Sequence, residues 1–79
     1  MSFLAIAKSF LELLNKIIPD KEERKRRIKE KRKVLIRKRD EIEKKIRLCS
    51  DLKCQSKHLN DYWDTLDAIK YLDGVLETY

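Results

Sequence analysis

The sequence predicts an all-α protein, a short amphipathic helix followed by a long antiparallel helical hairpin. Three observations carry that expectation. The chain has 79 residues, 43% of them charged, with one Gly and one Pro, a composition of long helices or coiled coils. Its Leu, Ile and aromatic residues recur at three- and four-residue steps, the period of one helical face. Its charge is sorted by position. Residues 1–20 balance, residues 21–47 hold fifteen basic and six acidic groups, and residues 48–79 hold three basic and six acidic. A single domain, 1–79, is therefore apolar, then basic, then acidic. So short a chain buries only about 60% of the surface that it exposes when unfolded, which makes association a ready source of stability.

The first segment, 1–19, opens with Ser2 as a cap and ends at Pro19. On a helical wheel Phe3, Leu4, Ile6, Ala7, Phe10, Leu11, Leu13, Leu14, Ile17 and Ile18 fill one half, against Lys8, Ser9, Glu12, Asn15 and Lys16. An apolar arc of roughly 180° is wider than a coiled-coil seam and must be covered. Phe3, Ile6, Phe10, Leu13, Leu14 and Ile17 are the candidate face for self-association or for a membrane.

The second segment, 20–49, begins with Asp20 and Glu23 in the spacing of a capping box. Its apolar residues are few but regular: Ile28, Leu35, Ile42 and Cys49 recur every seventh position, with Ile46 beside them. One apolar position per heptad is too thin a seam for this helix to dimerise strongly by itself, so it needs a richer partner. The third segment, 51–79, is richer. Leu59, Tyr62, Leu66, Ile69 and Leu76 form its seam, Asp73 fills the polar slot, and Trp63, Leu72 and Val75 widen the face. Ser50 or Asp51 can cap this helix after a turn. With the turn near Leu52, facing residue numbers add up to about 105, which sets Arg32 opposite Asp73. The alternative is one long coiled-coil helix, because no Gly or Pro interrupts residues 21–73; it would run about 80 Å.

Catalysis has no footing here. One His, no Gly-rich loop and no paired nucleophile and base leave the usual roles unfilled, so an enzyme with a small-molecule substrate is not expected. Cys49, Cys54, His58 and Asp61 could ligate zinc, but their spacing matches no common site. No metal and no cofactor is therefore expected. A cleavable signal is not expected either, and Lys8, Glu12 and Asn15 interrupt the apolar segment. The expected setting is intracellular and cytoplasmic rather than secreted, with a place at a membrane surface or inside a larger assembly as alternatives, and with both cysteines reduced.

From Arg24 to Arg39 there are eleven basic residues and one acid, Glu30. Such density repels itself and calls for a counter-charge. Arg24, Lys25, Arg26, Arg27, Lys29, Lys31, Lys33, Arg37 and Lys38 are the candidate surface for an anionic partner. The third segment neutralises only part of that charge. Nucleic acid, bound without sequence preference, is one alternative partner. An anionic membrane, held by the apolar helix and the basic run together, is another. The leading expectation is a structural, assembly or adaptor protein, a profile shared with accessory and virion components. It would self-associate through its first helix, with Trp63 as a further contact edge.

Overall fold

The computed structural model describes residues 2–79, so Met1 of the first segment lies outside the described residues. Three helices follow in order, α1 (Phe3–Ile17), α2 (Lys21–Leu48) and α3 (Leu52–Thr78). Each starts at a side-chain cap that satisfies an otherwise orphaned amide. Ser2 Oγ accepts from the Ala5 amide at 3.0 Å, Asp20 Oδ1 from Glu22 at 3.1 Å, and Asp51 Oδ1 from Cys54 at 2.7 Å. The reciprocal half of the capping box does not form, because the Glu23 carboxylate turns outward to Arg26 and Arg27.

The α2–α3 pair is the antiparallel hairpin, not the continuous rod. Arg32 pairs with Asp73 as the register required. Both side chains are more than a third exposed, at 38% and 44%, so the pair marks register and adds at most about 1 kcal/mol.

The first helix folds back onto the hairpin and runs parallel to α3. Asp64 supplies a second cap to its first turn, accepting from the amides of Phe3 and Leu4 at 2.5 and 3.3 Å. At the other end the Tyr79 hydroxyl donates to Asn15 Oδ1 at 3.2 Å. The offset from Phe3 to Asp64 puts Ala7 level with Ala68, and both are fully buried. Two methyl groups at the crossing let the backbones approach closely. The core then joins Ala7 and Leu14 to Ile28 and Leu35 of α2 and to Ala68, Ile69 and Leu72 of α3. Thr65 is also fully buried, its hydroxyl satisfied by donation to the Asp61 carbonyl at 2.7 Å.

An α1 of 15 residues covers only part of a hairpin whose helices have 28 and 27. Beyond Asp64 the molecule is two helices wide, and its overall extents are 48 × 19 × 17 Å. This explains one departure from the predicted seam. Leu59, placed there by its spacing, is 37% exposed because no third helix roofs that end.

Candidate functional site

The α1 and α2 helices share α3 as a support but scarcely meet each other. A groove of about 380 Å³ opens between them, floored by Phe3, Ile6, Val34 and Leu35 and edged by Lys31, Arg37 and Lys38 with one carboxylate, Glu41, among them. A second hollow of about 340 Å³ shares Ile6 and Lys31 and continues along α1 past Phe10 and Leu13. The result is an apolar trough with a cationic rim. Lys31 Nζ leans over the Phe10 ring, 5.6 Å from its centroid, the geometry of a cation–π contact.

The predicted apolar face is thereby divided. Leu14 is only 8% exposed and belongs to the intramolecular core, so it is not available as a contact face. Phe3, Ile6 and Phe10 are half-buried. Leu13 and Ile17 stay open at 58% and 66%, and Val34 of α2 joins them at 52%. Val34 escaped sequence reasoning because it lies off the heptad seam, inside the basic run.

The nine candidate cations also separate by role. Arg24 ties the bundle together: its Nη1 donates to Asn15 Oδ1 at 3.2 Å, and its guanidinium lies 5.9 Å from the Tyr79 ring centroid. Its Nε is buried without a partner among the described residues. Arg26 and Arg27 are partly neutralised by Glu23, at 2.8 and 3.3 Å. Hydrogen bonds from these two arginines hold the Glu23 carboxyl below its ordinary range. Lys38 lies 3.8 Å from Glu41. Lys25, Lys29, Lys33 and Arg37 form no salt bridge among the described residues. Their four-residue spacing makes them a single ridge along α2, and Arg37 also lines the groove.

The outward seam of α3 carries two acids, one base and an aromatic ring. Asn60, Trp63, Asp67, Lys70, Gly74 and Glu77 follow three- and four-residue steps and are all exposed. Trp63 is 58% exposed, its ring edge-on to Tyr62 with centroids 5.6 Å apart. None of these residues lines the groove.

At the far tip Cys49 and Cys54 are joined as a disulfide, contrary to the expectation of free thiols. Capping brings them together. Cys49 ends α2 by donating its amide to the Ile46 carbonyl at 3.2 Å, while Asp51 opens α3 by accepting from Cys54. The two Cα atoms are thereby held 5.7 Å apart, inside the span that a disulfide bridges. Among the described residues no helix is long and apolar enough to cross a membrane.

Fold and faces together define a small all-α protein with a hairpin core, a cationic apolar groove and an acidic aromatic seam. The chain matches no protein-family model, no curated protein and no solved structure.

Proposed function

We propose that this is a non-enzymatic assembly protein whose copies dock head to tail, the Trp63 seam of one in the α1–α2 groove of the next. The observation that carries this reading is the pairing of faces within one molecule. An apolar trough rimmed by Lys31, Arg37 and Lys38, against one carboxylate, Glu41, complements a seam that bears Trp63, Asp67 and Glu77, against one cation, Lys70. A symmetric contact of groove with groove would instead oppose like charges, which is unfavourable. Heterologous contacts build rings or open chains. Lys25, Lys29 and Lys33 of the ridge do not line the groove and stay free to hold an anionic partner of the assembly. An intracellular setting belongs to this proposal.

Light scattering after size exclusion at moderate salt tests it. The expected result is a discrete multimer or a ladder of species that shrinks as salt rises. Leu13→Asp and Trp63→Ala should each shift the mass toward monomer without loss of helicity. Truncating an interface Trp typically costs about 2 kcal/mol or more, roughly thirtyfold in association. A monomeric wild-type chain at all salt concentrations sinks the proposal.

A second reading has its own support in the unpaired ridge. A phosphate backbone fits four evenly spaced cations on one helix face. Strong 260 nm absorbance in the purified peak, stripped by high salt, would put nucleic acid first.

Gly74 supplies a separate check. Nothing lies within 4 Å of a Cβ added there, and a Gly inside a helix is less favourable than Ala by about 0.5–1 kcal/mol. Gly74→Ala is expected to raise monomer stability by about that amount in urea melts at high salt.

A further inference from the structure

We infer that the hairpin tip is an exchangeable staple, a disulfide when oxidised and a thiolate–imidazole site for a zinc-class divalent cation when reduced. The inference is independent of the assembly proposal. Cys49 Sγ, Cys54 Sγ and one His58 ring nitrogen all lie within 4.8 Å of one another, and all three residues are half-buried. Cys54 and His58 are four residues apart on α3 and so share one face, one turn apart. Cys49 reaches the same point from the end of α2. The end of α2 and the first turns of α3 thus converge a pair of sulfurs and a nitrogen.

A disulfide has no need of a neighbouring imidazole, whereas a borderline-soft cation does. His58 makes no hydrogen bond among the described residues that would otherwise explain its position. Zinc takes sulfur at about 2.3 Å and imidazole nitrogen at about 2.0–2.1 Å, in tetrahedral array. Two thiolates around such an ion sit about 3.8 Å apart by that geometry, a modest opening of the bridged pair. The turn does not depend on the bridge. The Asp51 cap, the Cys49–Ile46 backbone bond and the Gln55 side-chain bond to the Cys49 carbonyl, at 3.4 Å, hold it independently. Two thiolates and a neutral imidazole form an S2N donor set that suits zinc better than magnesium or calcium. Water takes the fourth position.

The tip has no tertiary cover to add to these local bonds. It lies beyond the cover of α1, with Leu48 and Leu52 exposed at 85% and 80%. Reduction by a phosphine consumes one water: the disulfide gains two electrons and two protons, and the phosphine becomes its oxide. The incoming dication then displaces the two thiol protons, and His58 donates a lone pair.

The test titrates cobalt(II), a spectroscopic stand-in for zinc, into the full chain reduced with a phosphine. The expected result is one equivalent bound, with sulfur-to-cobalt charge transfer and the visible bands of a tetrahedral site. Zinc should displace the cobalt, and the oxidised chain should give no such bands. His58→Ala should weaken binding at least tenfold, since even outer-sphere partners of metal ligands contribute 10–100-fold. Helicity measured on each variant separates loss of ligand from loss of fold. Absence of the charge-transfer band in the reduced wild type, or equal affinity in His58→Ala, would overturn the inference.

Discussion

Replacing Leu72 with Ala is expected to destabilise the protein by about 2–5 kcal/mol, the usual range for a core Leu. Leu72 is fully buried in the cluster that joins all three helices. The surrounding backbone is helical on every side, so collapse around the lost side chain is limited and a cavity penalty adds to the transfer loss. A domain of this size has about 4–12 kcal/mol in total, so the single change removes a large share of it. Leu59→Ala is the matched control. Leu59 is 37% exposed at the unroofed end, and its truncation should lower the urea midpoint far less. Equal losses for the two variants would contradict the assigned core. Both melts belong at high salt and low concentration, because association would mask the difference by mass action.

The second large effect concerns a position where size, not hydrophobicity, matters. Ala68→Leu is expected to detach α1 while the hairpin survives. Ala68 is fully buried and level with Ala7, also fully buried, at the α1–α3 crossing. A larger side chain there forces the helices apart, at a typical cost of about 1–3 kcal/mol. The hairpin has its own register in Arg32–Asp73 and its own apolar contacts through Ile42 and Ile69. Hydrogen exchange resolves the two outcomes. Amides of α1 should lose most of their protection, and those of α2 and α3 should keep much of theirs. Uniform loss along the chain would mean that α1 and the hairpin fold as one unit. Released α1 would also expose Leu14 and complete the broad apolar face read from its wheel, so the variant should aggregate more readily.

These two positions show where sequence reasoning held and where it ran short. The hairpin register was legible because a turn near Leu52 fixes which residues face each other and sets Arg32 opposite Asp73, the polar slot of the α3 seam. The helix starts were legible because Ser2, Asp20 and Asp51 are the residue types that accept from orphaned amides. Thr65 and Ala68 were not legible as core. Their spacing places them beside the α2 seam, and they become buried only when α1 arrives on that flank. The same arrival moves Leu14 from the candidate contact face to the interior. It leaves Leu13, Ile17 and Val34 as the exposed apolar edge.

The candidate sites follow the same division. That α2 is strongly basic was evident from composition, but the separate roles of its cations were not. Arg24 is a bundle clamp because Tyr79 and Asn15 happen to meet above it. Lys25, Lys29, Lys33 and Arg37 stay unpaired among the described residues, with no salt bridge to α1 or α3. The spacing of Cys49, Cys54 and His58 resembled no familiar ligand pattern. It converges only because two caps turn the chain within three residues.

The choice of hairpin over rod came with the tertiary structure. The sequence by itself determined the helical segments, their order, the residue types at their starts and the register that a hairpin would take. All of these depend on local hydrogen bonding and on periodicity, which one strand of letters records. Only the tertiary structure decided which flank of the hairpin α1 covers, and therefore which apolar residues stay exposed and which cations stay free. The physical reason is that a helix with an apolar arc of about 180° can bury only part of it against a neighbour. The small side chains at Ala7 and Ala68 select which part that is.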